Sequence, residues 1–146
     1  MRRFLLLAAT AMALHAQAAA LVCGGVGSDE RREISSAAQG ANLELEFFIA
    51  SRGNYVADVD VTLTPAAKGT GSLTVKTEGP ICYLQVPPGR YRVAASFNGA
   101  TKVSTATVPA AVRKPVRLAM SFPETAAEGD LDIKPTPEEK AQARQP

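Results

Sequence analysis

Tryptophan is absent from this 146-residue chain, and the one histidine, His15, sits inside an N-terminal stretch that reads as a removable leader. Without histidine, the rest of the chain cannot run a Ser/His/Asp or Cys/His mechanism, and it lacks the commonest ligand of transition metals. Without tryptophan, it lacks the best stacking platform for sugars, bases and quaternary amines. No catalytic residue, cofactor site or metal site is expected, and no nucleic-acid partner. Long apolar runs are also missing. The run from Phe4 to Leu14 is shorter than the roughly 20 residues a bilayer-spanning helix needs, and no later segment approaches that length.

Arg2-Arg3, the apolar run, and the small-residue sites Ala16-Gln17-Ala18 and Ala18-Ala19-Ala20 are the three parts of a secretory signal peptide. Residues 1–20 are therefore expected to be removed, leaving a soluble chain in the periplasm or secreted beyond it. Arg2 and Arg3 leave with the leader, so sixteen basic residues become fourteen against fourteen acidic ones, and the net charge falls from +2 to zero. Cysteine is limited to Cys23 and Cys82. In an oxidising compartment the expectation is one disulfide between them, worth roughly 4 kcal/mol in the chain-entropy account for a loop of this length. Lipidation of Cys23 is disfavoured because bulky Val22 stands where Gly, Ala or Ser normally precedes a lipid-bearing cysteine. A reactive thiol is disfavoured because no histidine or CxxC spacing lowers its pKa.

The exported part divides into three. Residues 21–41 read as a glycine-rich lead, CGGVG, running into a short helix: Ser28 suits the N-cap, Asp29 and Glu30 suit the positive end, and Gly40 suits the stop. The helix has a narrow apolar stripe of Ile34, Ala37, Ala38 and Ala41, so it is marginal alone and should lie against the domain.

Residues 42–122 alternate with period two, the pattern of half-buried strands. Inward sets are Leu43, Leu45, Phe47 and Ile49; Tyr55 through Leu63 on odd numbers; Leu73 and Val75; Leu84 and Val86; Tyr91, Val93, Ala95 and Phe97; and Val116, Leu118, Met120 and Phe122. The segment from Thr101 to Val108 is less regular, which predicts a bulge. Gly- and Pro-rich turns separate the runs, giving seven strands of a two-sheet sandwich with a single core. Residues 123–146 lose the pattern and read as a disordered acidic tail.

Four constellations invite a functional reading. Glu44, Glu46, Asp58 and Asp60 lie on outward faces of consecutive strands and would converge toward Ca²⁺ if those strands pair; without an Asp-x-Asp-x-Asp-Gly loop, a solvated face is the plainer reading. Arg90, Arg92 and Lys102 line an outer face beside Arg113, Lys114 and Arg117, which reads first as a solubilising surface and otherwise as a site for an anionic partner. The lead from Gly24 to Ser28 matches no phosphate-binding fingerprint and reads as a flexible approach to Cys82. Phe48, Ile81 and Tyr83 have the opposite parity to the core residues beside them. They should be covered by the N-terminal helix and the Cys23 segment; left uncovered, they would form an apolar patch for a protein partner.

The stretch GPICYLQVPPGRYRVAASFNG, preceded by NYVADVDVTL, resembles the carboxypeptidase regulatory-like, or transthyretin-like, domain, whose L-P-x-G-x-Y-x-V signature makes a strand, tight turn and strand. GGVGSDE followed by LELEFFIASRGNYVADV further resembles small exported proteobacterial proteins carrying only this domain. The resemblance implies an all-β, seven-stranded antiparallel Greek-key sandwich with one short N-terminal helix. Within the turn, Pro88 presets φ, Gly89 takes the position others cannot, and Tyr91 anchors the next strand. It implies no activity. The related hydrolases of purine breakdown use histidines, an arginine and a C-terminal Tyr-Arg-Gly-Ser, whereas this chain ends in QARQP. The expectation is a non-enzymatic accessory or protein-interaction module of the cell envelope with an envelope protein as partner. A carbohydrate- or cell-wall-binding module is the alternative, with glycan only weakly supported by the outward residues.

Overall fold

The computed structural model describes residues 21–25 and 27–128; the expected leader, residues 1–20, and residues 129–146 of the expected tail lie outside the described residues. In chain order the elements are β1 (Leu21–Gly24), α1 (Ser28–Ala37), β2 (Leu43–Ile49), β3 (Asp60–Pro65), β4 (Leu73–Lys76), β5 (Ile81–Leu84), β6 (Gly89–Phe97), β7 (Ala100–Val108), β8 (Val116–Phe122) and α2 (Glu124–Glu128). The strands form two four-stranded sheets, β1-β5-β2-β8 and β4-β3-β6-β7. Their inner faces share one apolar core, in which Leu43, Leu45, Phe47 and Phe122 of the first sheet meet Val61, Leu63, Val93 and Val108 of the second. The alternation foresaw this: each inward residue of β2 and the last two of β8 are buried.

Eight strands stand where seven were expected. The additional one is β1, whose glycine-rich lead was read as flexible. It pairs antiparallel with β5, and Cys23 lies directly opposite Cys82 with Cα atoms 4.1 Å apart, so the expected disulfide forms across the ladder. The pairing depends on small residues. A Cβ on Gly79 would sit 2.5 Å from the Gly24 carbonyl oxygen, and one on Gly24 would strike the Ile34 side chain of α1. The sheets are also not wholly antiparallel, since β2 pairs in parallel with β8 from Leu43↔Val116 to Ile49↔Phe122.

Other boundaries shift for local reasons. The cap of α1 is Gly27, whose carbonyl accepts from Arg31 N–H, rather than Ser28, and the helix ends at Ala37 before Gly40 takes a positive φ of 87°. No bulge interrupts β7, because its pairing with β6 runs without a break from Phe97↔Ala100 to Gly89↔Val108. Its irregular look comes from Lys102 and Ser104, polar residues at inward positions of an edge strand. Val86, expected to extend the strand of Leu84, lies beyond β5 and is clamped by Asn42, which donates to its carbonyl at 2.6 Å and accepts from its N–H at 2.9 Å. Residues 124–128, read as the start of the tail, form α2. Ala126 is buried against the core, Asn98 donates to its carbonyl, and Arg52 pairs with Glu124.

The largest departure is at residues 55–59, where strand was expected from Tyr55. Tyr55 bridges Phe48 in the first sheet, whereas Asp60 opens β3 in the second, so the intervening residues cross between sheets. Asp58 makes the turn with φ of 57°, and the crossing is fastened by Thr77: its carbonyl accepts from Asp58 N–H, and its buried hydroxyl accepts from Val59 N–H. At the β5–β6 turn, Gly89 has a φ of 151° and the buried Tyr91 donates its hydroxyl proton to the Pro87 carbonyl at 2.5 Å.

Two substitutions test the packing of β1. Gly79→Ala should destabilise by about 1–3 kcal/mol, the usual cost of overpacking, and slow closure of the disulfide in refolding. Gly71→Ala, where the added carbon meets nothing, should stay within about 0.5 kcal/mol of wild type in the same urea titration.

Candidate functional site on the outer face of the first sheet

Register places the site. On the outer face of the first sheet, Val22, Tyr83, Glu44 and Arg117 form one row across the four strands, and Gly24, Ile81, Glu46 and Ala119 form the next. Phe48 lies beyond them opposite Ser121. Phe48, Ile81 and Tyr83 therefore do share the outer face, as their parity implies, but they meet different surroundings. Ile81 is buried beside Gly24, the residue on which Ile34 of α1 rests. Tyr83 is half-buried between Val22 and Glu44. Phe48 is half-buried at the far end, lining a shallow depression of about 430 Å³ with Glu46, Gly53, Tyr55, Arg117 and Ala119.

The floor of this depression carries a charge that alternation alone did not reveal. Glu46 occupies an outward position yet is only 4% exposed. Leaving an ionised carboxylate there without partners would cost several kcal/mol. Its partners come from two segments: Tyr55 donates its hydroxyl proton to Oε1 at 2.7 Å, and Arg117 of β8 donates Nε–H to Oε2 at 2.9 Å with a second bond from Nη2. Arg31 of α1 extends the chain, donating to the Tyr55 hydroxyl at 2.6 Å while its guanidinium lies 5.2 Å from the ring centroid. One connected line thus runs Arg31, Tyr55, Glu46, Arg117, with Glu44 3.9 Å from the Arg117 Nε.

The two carboxyls respond oppositely. Burial raises the pKa of Glu46, but the hydrogen bonds from Tyr55 and Arg117, with the charges of Arg117 and Arg31, outweigh it and hold the group below its ordinary value. Burial also raises Glu44, and there the more distant Arg117 only partly offsets it, so its pKa ends above the ordinary value. Tyr83 is raised, first by burial and then by Glu44 across the ladder, and Arg117 is raised by its bond to Glu46. Glu46 is held as an anion with both oxygens taken by donors, which makes it a fixed anchor for Arg117 and Tyr55.

The other constellations do not assemble as drawn from sequence. Glu44 and Glu46 lie on β2 in the first sheet, whereas Asp60 is on β3 in the second, because the crossover intervenes; the four carboxylates do not converge. Among the described residues, no group of three or more potential metal ligands comes together. The basic set divides too. Arg117 is on the first sheet, and Lys102 pairs with core-facing Ala95 while Arg90 and Arg92 pair with Thr107 and Thr105 on the opposite face. Tyr55 and Arg31 were missed as site residues. Tyr55 shares sequence parity with Val59 and Val61, and only the inversion at Asp58 sends its hydroxyl to Glu46; a charged residue in so apolar a strand, LELEFFI, was the available signal for a buried ion pair.

Replacing Arg117 with Met should cost about 1–3 kcal/mol by leaving a buried carboxylate short of donors. Protonation gives an independent check. The folded pKa of Glu46 lies below the unfolded value, so its stabilisation is present above the ordinary 4.5 and is lost as pH falls through the folded value. Glu46→Gln should therefore be less stable than wild type at neutral pH, with the gap narrowing below pH 4.5 in chemical-denaturation midpoints.

No protein-family model and no curated protein matches the chain.

Proposed function

We propose that the chain is a non-enzymatic accessory module of the cell envelope, carried to the periplasm by residues 1–20, that holds a partner protein on the outer face of its first sheet. Its fold belongs with the transthyretin-like, carboxypeptidase regulatory-like sandwiches of Greek-key topology that the LQVPPGRYRV segment resembles. The observation that carries this reading is the pairing of a half-exposed aromatic wall with an anchored cation: Phe48 and Tyr55 flank the depression, and the Arg117 side chain, held by Glu46, remains 61% exposed at its rim. An aromatic and an arginine fixed side by side are the residue types that dominate protein interfaces. Such a site suits a partner segment that presents an apolar side chain next to a carboxylate. The non-enzymatic part rests on chemistry: residues 21–146 contain no histidine, and Glu46, ionised and fully bonded, is a poor proton donor.

A photo-crosslinking residue in place of Phe48 or Ala119 should give one reproducible adduct in the periplasm, whereas the same residue in place of Thr74, on the other sheet, should not. Phe48→Ser should weaken the isolated complex about tenfold or more while leaving the disulfide and the circular dichroism spectrum unchanged. The same adduct from position 74, or a Ser variant that keeps its partner, overturns the reading.

A further inference from the structure

The outer face of the second sheet is built differently and carries a separate inference. It is rich in hydroxyls: Thr62 bonds Thr74 at 3.2 Å, Ser72 donates to Thr64 at 3.2 Å, and Ser96 bonds Thr101 at 2.8 Å. Each hydroxyl has one donor and two acceptor lone pairs, so bonding in pairs leaves acceptor and donor capacity on the surface. Two arginines stand in this field. Arg92 lies between Thr64 of β3 and Thr105 of β7, and Arg90 faces Thr107. Two positions apart on one strand, they point the same way with about 7 Å between them. Neither forms an ion pair among the described residues.

The nearest acidic residue on this face in register is Asp60, at the opposite end of β3, where it pairs with Lys76 and Ser96. Among the described residues, the arginine end is therefore a zone of uncompensated positive charge. Beside Arg92, Val103 is 47% exposed, the one large hydrophobic so exposed among the described residues, and its register partner is Ala94. Thr64, Arg90, Arg92, Val103 and Thr105 line a depression of about 500 Å³.

We infer that this face binds an acidic polysaccharide, a hydroxyl-rich chain bearing carboxylate, sulfate or phosphate groups. Arginine supplies planar, charge-assisted donors for the anionic groups. The hydroxyl field matches the sugar hydroxyls, and the small Val103/Ala94 spot accepts the apolar C–H side of a ring. Nucleic acid fits less well, because single-stranded bases need outward aromatic platforms and the one tyrosine here, Tyr91, is buried with its hydroxyl turned to Pro87. A bilayer surface fits less well, because docking there takes a broad apolar or polybasic face rather than one valine and two arginines. This site is on the opposite sheet from Phe48 and stands or falls independently of the partner reading.

The test is affinity electrophoresis and calorimetry of the full chain from residue 21 with polygalacturonate, with dextran sulfate as a second polyanion and neutral dextran as the uncharged control. Binding to a polyanion but not to dextran is expected. Arg90→Gln/Arg92→Gln should lower affinity at least tenfold with an unchanged melting temperature. Arg32→Gln/Lys114→Gln, an equal charge change elsewhere, should alter it less than twofold. Val103→Asp, which sets a carboxylate beside Arg92 at an exposed position, should abolish retention. The inference is overturned by equal retention on neutral dextran, by equal loss in the two double variants, by no binding to either polyanion, or by tighter binding to a single-stranded DNA oligomer or to phosphatidylglycerol vesicles.

Discussion

The bond between Cys23 and Cys82 governs where the N-terminal part of the described chain lies, and much of the first sheet's outer face follows from that. Four residues of β1 are too few to hold an edge by themselves, and the ten-residue α1 behind them has no side-chain cap and a single buried residue, Ile34. A helix of that length is marginal in isolation. Closing the ladder across a sequence separation of 59 removes roughly 4 kcal/mol of chain entropy from the unfolded state, which is more than the local propensities provide. Once β1 is fixed, Gly24 and Gly79 let it pass close enough for Ile34 to settle on the face beside Ile81, and that brings Arg31 within reach of Tyr55. Staple, helix and hydrogen-bonded charge are thus coupled in series.

The charge itself illustrates how neighbouring positions on one strand acquire opposite character. Glu44 and Glu46 share a face of β2, both partly shielded, and both look to Arg117. The guanidinium bonds Glu46 directly and stands about 1 Å farther from Glu44, and Tyr55 adds a donor to Glu46 alone. Desolvation wins at Glu44 and is beaten at Glu46. A buried ion pair of this kind is weak support for stability compared with an apolar pair of equal volume. Its stronger effect is positional: it fixes Arg117 and Tyr55 at the rim of the depression, where otherwise two long side chains would sample many rotamers.

Much of the fold was legible in sequence because alternation reports a face, and the inward sets of β2, β6 and β8 are largely those that pack in the core. The off-parity residues Phe48, Ile81 and Tyr83 were legible for the same reason. What alternation cannot report is which sheet a strand joins. Tyr55 and Val61 have the same parity, yet a single left-handed residue, Asp58, places them in different sheets, and with that change the carboxylate cluster disperses and the tyrosine becomes part of the site. The parallel pairing of β2 with β8 was invisible for a related reason, since partner choice is a long-range matter of topology. β1 was hidden by glycines that usually signal flexibility and here allow close approach of backbone.

The same topology gives the two outer faces different tasks in the molecule's energetics. In the first sheet α1 packs against β1, and residues of the inner strands β5 and β2 such as Ile81 and Glu46 are withdrawn from water, so every polar atom among them must be matched. The second sheet has no described helix across it, and its outward positions are mostly threonine, serine and arginine, which tolerate water and retain hydrogen-bonding capacity, with Asp60, Ala94 and Val103 among them. Specific, shape-dependent recognition is favoured on the first face, where side chains are already fixed and little rotamer entropy remains to be lost on binding. A ligand on the second face would meet charge and repeated hydroxyls instead, where each contact is weak and a repeating ligand gains by engaging several at once.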